Sequence, residues 1–166
     1  MQKVYKDFLV RNWQPSDRIP AAEVIQFVLA EYGLSWEPNG ADQDVLNVEA
    51  AYLKTGGEFW VIEQSAEIVG TGAYYPITRG KNAVEIRKMY LLPGARGQGL
   101  GRFLLEHLEA TITACGFSQI WIETASILQE AIKLYETSGY QLATGVETAR
   151  CDRVYVKKLI NLKQWQ

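Results

Sequence analysis

The chain has 166 residues, 48% hydrophobic and 22% charged, with a formal net charge of −2. That balance fits one domain over residues 1–166 with a sizeable core, and it excludes a disordered chain. A nucleic-acid or membrane-surface binder would carry a basic face, but no basic run occurs, and no apolar run is long enough to cross a bilayer. The start, MQKVYKDFLV, lacks the apolar core of a signal peptide. Cys115 and Cys151 have no metal-like spacing and read as free thiols, so a cytoplasmic location is expected. The single histidine, His107, falls inside a predicted helix, and no metal site is expected.

Val4 to Arg11 alternates and predicts an opening strand. Pro15, Ser16 and Asp17 then mark a helix start, and Ile25, Val28, Leu29 and Tyr32 follow at helical spacing up to Gly33. The loop LSWEPNG precedes a second helix from near Asp42 to Lys54, with Val45, Val48 and Tyr52 on one face. Glu58 to Glu63 and Ile68 to Tyr75 predict an antiparallel hairpin. Val84 to Leu92 is the next strand, and an apolar stripe of Leu100, Phe103, Leu104, Leu108 and Ile112 predicts a helix ending near Cys115. Gln119 to Glu123 is a short strand, and Ser126 with Gln129 forms a capping-box pattern for a helix that Gly139 ends. Tyr140 to Thr144 and Arg153 to Leu159 are the last strands. The order β-α-α-β-β-β-α-β-α-β-β implies a mixed α+β sheet.

The stretch AVEIRKMYLLPGARGQGLGR, Ala83 to Arg102, organises the chain. A strand meets a glycine-rich turn that opens a helix, an arrangement suited to holding phosphate on backbone N–H groups. The glycines do not fit G-x-G-x-x-G from Gly97 or Gly99, because Arg102 and Leu104 stand at the third position. No G-K-[ST] tripeptide completes a P-loop.

Arg96-x-x-Gly99-x-Gly101 resembles the R/Q-x-x-G-x-G/A motif of the GCN5-related N-acetyltransferases, the GNAT superfamily. The preceding EIRKMYLLP is of that family's type, and AIKLYETSGY, Ala131 to Tyr140, resembles its A-x-x-L-Y-x-x-x-G-F/Y block. The resemblance implies a GNAT-like fold, a twisted and mostly antiparallel sheet of about seven strands flanked by helices. It implies acetyl-coenzyme A as cosubstrate, direct attack of an amine on the thioester, and a possible homodimer. The pyrophosphate would lie on Arg96, Gly97, Gln98, Gly99, Leu100, Gly101 and Arg102, with Lys88 at the adenosine phosphate. The pantetheine arm would pair with the strand edge at Met89, Tyr90 and Leu91, as an added strand does. An N–H near Met89 or Tyr90 would polarise the thioester carbonyl.

Tyr135, in the matching L-Y-E block, is the expected proton donor to the departing thiolate. Glu85 and Glu123, on strand ends facing the cleft, are the carboxylates expected to attract the ammonium or take its proton. Leu128 stands where relatives often carry an asparagine that contacts the cofactor, with Thr124 or Ser126 as substitutes. The family builds much of its acceptor wall from the first two helices, so Tyr32, Trp36, Glu37 and Tyr74 are expected around a cationic amine. The acceptor is then a small amine, an amino acid or a peptide N-terminus, with no nucleic-acid or membrane partner. The rival readings are an inactive CoA-binding regulatory module and a ligand-free interaction domain.

Overall fold

The structure is a computed structural model that describes residues 1–160; the last positions of the expected 1–166 domain lie outside the described residues. Its strands are β1 (Gln2–Tyr5), β2 (Phe8–Asn12), β3 (Glu58–Gln64), β4 (Glu67–Ile77), β5 (Ala83–Leu91), β6 (Gln119–Thr124), β7 (Gln141–Ala143) and β8 (Arg153–Lys158). The helices are α1 (Arg18–Glu31), α2 (Gln43–Leu46), α3 (Leu100–Ala114) and α4 (Gln129–Thr137). One sheet of eight strands runs in the order β1-β2-β3-β4-β5-β6-β8-β7. Every pairing is antiparallel except β5 with β6.

The continuous apolar run Phe59-Trp60-Val61-Ile62 of β3 is explained by burial on both faces. Phe59 and Val61 join one cluster with Ala21, Ile25 and Leu29 of α1 and with Val45, Val48 and Tyr52. Trp60 and Ile62 join the other cluster with Leu100, Leu104, Leu108 and Ile112 of α3 and with Tyr135 of α4. The period of two along each strand thus feeds two cores, and each helix stripe covers one of them.

Three local expectations are corrected. The sheet has eight strands rather than about seven, because the opening strand is a hairpin in which Tyr5 pairs with Phe8 across Lys6 and Asp7. Lys6 takes a left-handed φ of 52° there. Two turn residues put Tyr5 and Phe8, three positions apart, on one face, so the alternation changes phase at the turn. The second helix stops at Leu46, where Asn47 leaves the helical region at φ −134°, ψ 47° and bonds its side chain to the Gln43 carbonyl at 2.9 Å. A π-turn over Glu49–Leu53 resumes the coil, which keeps Val45, Val48 and Tyr52 in one cluster. Ser126 does not cap α4: its hydroxyl and amide bond to Asp152 at 2.5 and 2.7 Å, and the helix opens later, at Gln129.

Candidate active site

The site arises from one irregular strand. Thr71 of β4 pairs with Tyr90, and Ala73 pairs with Arg87, so β5 carries an extra residue between them. Lys88 occupies this bulge at φ 53°, and its carbonyl accepts the Thr71 hydroxyl at 2.6 Å. The bulge breaks the alternation of side chains. Arg87 and Lys88, neighbours in sequence, reach the same Ala41 carbonyl at 3.2 and 2.8 Å.

On its other side β5 pairs with β6 only over Ala83, Val84 and Glu85. Beyond Glu85 the two strands part and leave a cleft of about 780 Å³. The Leu92 amide bonds to the Val69 carbonyl on the β4 side. By alternation, the amides of Leu91 and Met89 face the open edge. Met89, Tyr90 and Leu91 all line the cleft, so the strand edge expected from the sequence is present and unpaired.

At one end of this edge lies the glycine loop. Gly97 and Gly99 adopt φ of 74° and 84°, which glycine accepts at low cost. Gly99 caps α3, and the first intrahelical donor is the Phe103 amide, bonded to the Gly99 carbonyl at 3.0 Å. The amides of Leu100, Gly101 and Arg102 precede it and remain free of helical partners. Together with the helix dipole they make an anion cradle. Arg102 lines the cleft here, bonded among the described residues only to hydroxyls of Thr137 and Ser138 at 3.0 and 3.5 Å.

Three expected members of the cradle act otherwise. Arg96 lines the cleft, but its guanidinium forms a fork with Glu31 at 2.7 and 3.0 Å and caps the Leu91 carbonyl at 2.9 Å. It thereby latches the loop to α1. Gln98 turns its carbonyl to the Tyr5 hydroxyl at 2.6 Å and to Lys6 at 2.9 Å, and it does not line the cleft. Lys88 is buried at 6% exposure and pairs with Asp42 at 2.7 Å, so it is unavailable to a phosphate.

Tyr135 lines the middle of the cleft, its ring held against Tyr140 and Tyr155 at centroid distances of 5.9 and 6.1 Å. Among the described residues its hydroxyl has no hydrogen-bond partner. Burial, with Tyr90 and Cys151 nearby, pushes its pKa up, so the phenol stays protonated.

The two carboxylates differ sharply. Glu123 lines the cleft but is held by the amides of Glu147 and Thr148 at 3.0 and 2.8 Å and by Arg79 at 3.0 Å. Burial alone would raise its pKa, but these bonds bring it below the usual range. Glu123 is an ionised anchor for the β7–β8 loop. Glu85, expected to face the cleft, does not line it but lies behind Arg87, 3.8 Å away, and among the described residues accepts no such bonds; burial, reinforced by the charges of Glu123 and Glu147, lifts it to about 7 against Arg87 and Arg79.

Of the residues expected at the acceptor wall, only Tyr32 lines the cleft. Trp36 packs, half-buried, against the α1 cluster. Glu37 stands 3.7 Å from Arg150. Tyr74 is 1% exposed in the α3-side core, where its hydroxyl bonds to Glu58 at 2.7 Å; it points away because alternation puts it opposite Tyr75. Leu128 and Thr124 both line the cleft, and Ser126 does not.

Sequence reasoning missed the charge knot behind β5. Asp42 is fully buried and bonded to Arg150 at 2.6 and 2.7 Å, to Lys88 at 2.7 Å and to the Glu37 amide at 2.9 Å. Burial would raise its pKa, yet Arg150 and Lys88 bring it down to about 2. Two adjacent cations in EIRKMY were the available signal, because regular alternation would aim one of them into an apolar core.

A sequence model described as the acetyltransferase (GNAT) family matches residues 22–140. The Escherichia coli protein described as the uncharacterized N-acetyltransferase YjgM is 35% identical over 136 residues, covering 80% of this chain and 81% of its own. An acetyltransferase of the GNAT family from Staphylococcus aureus superposes with a TM-score of 0.85 at 21% identity, covering 92% of this chain and 99% of its own. The structure of yncA from Salmonella typhimurium, with its cofactor acetyl-CoA, superposes with a TM-score of 0.72 at 20% identity over 94% of this chain and 95% of its own. At these identities the two structures speak for the fold.

Replacing Asp42 by Asn leaves Lys88 and Arg150 buried against a neutral amide. We expect a loss of about 3 kcal/mol, read by urea unfolding at neutral pH. The folded pKa near 2 lies below the ordinary value of 3.8, so the stabilising contribution of Asp42 is complete above about pH 4. It is lost as the pH falls towards 2, and Asp42→Asn should lack that part of the acid dependence.

Proposed function

The chain belongs to the acetyltransferase (GNAT) family, and from that premise we propose that it transfers an acetyl group from acetyl-CoA to an amine by direct attack. Family membership makes it an acyltransferase of the N-acetyltransferase kind, with acetyl-CoA as cosubstrate. The observation that carries the reading is the unpaired edge of β5, which joins the open helix N-terminus of α3 to the free hydroxyl of Tyr135. The amides of Leu100, Gly101 and Arg102, with the Arg102 side chain, suit a pyrophosphate. The Leu91 and Met89 amides suit an extended amide-bearing arm. When bound, acetyl-CoA supplies an activated acetyl group on sulfur.

The chain's own groups then have separable tasks. Glu85, with a pKa near 7, takes a proton from the acceptor's ammonium, directly or through a water, and leaves a neutral amine to attack. The Met89 amide donates to the carbonyl oxygen as negative charge develops on it. The new N–C bond forms as the C–S bond breaks, Tyr135 gives its proton to the leaving sulfur, and the surplus proton on the acylated nitrogen returns to the Tyr135 oxygen through water. Glu123 holds the β7–β8 loop and leaves the base role to Glu85. A CoA-binding module without activity would need neither the free Tyr135 hydroxyl nor a carboxylate poised near neutrality. The acceptor is an amine, and no helix among the described residues is long and apolar enough to cross a membrane.

Acetyl-CoA should raise the thermal midpoint of the protein, and thiol release with an amine panel should report turnover. Absence of any protection would overturn the cosubstrate assignment. Tyr135→Phe should lower kcat by about 100-fold while the acetyl-CoA Kd stays within about twofold. In the native protein kcat/KM should rise with pH through about 7, as Glu85 loses its proton. Glu85→Gln should remove that limb; a limb that persists at the same pH assigns the base elsewhere.

A further inference from the structure

Four guanidiniums line the cleft, those of Arg87, Arg96, Arg102 and Arg150. Two of them are neutralised within the chain, Arg96 by a fork to Glu31 and Arg150 by a fork to Asp42. Arg102 stands at the α3 N-terminus, where the phosphate cradle lies. Arg87 is the remaining one, and it lies at the opposite end of the unpaired edge. Its hydrogen bonds go to neutral acceptors, the Tyr75 hydroxyl at 3.1 Å and the Ala41 carbonyl at 3.2 Å. Its nearest carboxylate in an ion pair is Glu85, 3.8 Å from Nε and beyond hydrogen-bond reach. Asp44 is also near, but it faces Lys88 at 3.5 Å and accepts the Tyr52 hydroxyl. Asp44 and Glu85 stabilise the charge of Arg87 from nearby, but among the described residues they take none of its N–H donors, which stay open on the cleft wall. A guanidinium presents its donors in a fork that matches a carboxylate.

Position decides which anion. The phosphates of the cosubstrate belong at the glycine loop, and the Met89 amide marks the place of the reacting carbonyl. Arg87 lies past that point, on the acceptor side. Glu85 is two residues further on the same face of β5. The two side-chain heads are 3.8 Å apart, a spacing that suits an amine and a carboxylate on one carbon. We propose that the acceptor is a free α-amino acid, its carboxylate held by Arg87 and its amine presented to Glu85. This rests on the acetyl-transfer reading above and narrows it. A simple amine offers nothing to Arg87, and a peptide N-terminus carries a neutral amide that matches the guanidinium fork less well than a carboxylate does.

The test compares kcat/KM for the common L-amino acids with that for the amide and the decarboxylated amine of each, by thiol release from acetyl-CoA. The best free acid should exceed its own amide and amine by about 100-fold or more, because a site built for a charged group rejects analogues lacking it. Arg87→Met should bring that ratio to within about threefold by slowing the acid alone, and Arg87→Lys should restore part of it. Heat protection by acetyl-CoA checks that each variant is folded. If Arg87→Met does not fold, the comparison in the native protein decides. Equal or better rates with amides or amines would overturn the proposal, and so would an unchanged ratio in a folded Arg87→Met. Turnover of no amino acid, with heat protection by acetyl-CoA intact, overturns this proposal and leaves the cosubstrate assignment standing. Loss of that protection in the native protein is the separate failure of the underlying reading.

Discussion

The cleft depends on one buried carboxylate. Asp42 sits in the loop after α1, yet it fixes Lys88 in β5 and Arg150 in the β7–β8 loop. Moving three ions out of water costs several kcal/mol per ion, and their mutual attraction offsets that only when geometry and hydrogen bonding are complete. Here they are, since both Asp42 oxygens are engaged and the Glu37 amide adds a fourth partner. The net gain in stability from such a knot is small compared with an apolar packing of equal volume. Its effect is positional: segments far apart in sequence are held around one point, and that point lies directly behind β5.

The bulge at Lys88 follows from the same constraint. A regular β5 would turn Arg87 and Lys88 to opposite faces, and one of them would meet the α3-side core. The extra residue lets both face the polar side, at the cost of a left-handed φ at Lys88. A bulged strand bends, and β5 leaves β6 directly after Glu85. The edge that results carries amides without a strand partner, along the partly buried Met89, Tyr90 and Leu91 that line the cleft. Sheets normally cover or charge such an edge. This one is left open inside the molecule, between α3, α4 and the β7–β8 loop, where an extended ligand is the natural partner.

Local chemistry made the glycine loop, the stripes of α1 and α3 and the β3–β4 hairpin legible in the sequence, because each has a period or a spacing of its own. Tyr135 was legible through the block around it, and Gly99 and Gly101 through their offset from Arg96. What failed was whatever depends on distant residues. Lys88 and Arg96 looked like free cations, but Asp42 and Glu31 lie 46 and 65 positions away. Tyr74 and Tyr75 are adjacent, and alternation cannot say which one faces the cleft until the register is known. The hairpin at Lys6 was hidden because only Lys6 and Asp7 separate its strands, too short a break to stand out in a run that alternates only roughly.

Glu85 and Glu123 show why residue type alone does not assign a role. Both end up near the parting of β5 and β6, on the same face. One accepts bonds from two backbone amides and an arginine and is fixed as an anion. The other is buried with its neighbouring arginine just out of hydrogen-bond reach, and so hovers near neutrality. Separation of pKa between like groups lets one region hold both an ionised anchor and a carboxyl poised near neutrality. Arginines sort in the same way, with Arg96 and Arg150 neutralised as struts and Arg87 and Arg102 left with open donors at the two ends of one edge. The struts hold the loops from which the open groups act. The cleft thus presents an open guanidinium beyond each end of the strand edge formed by Met89, Tyr90 and Leu91.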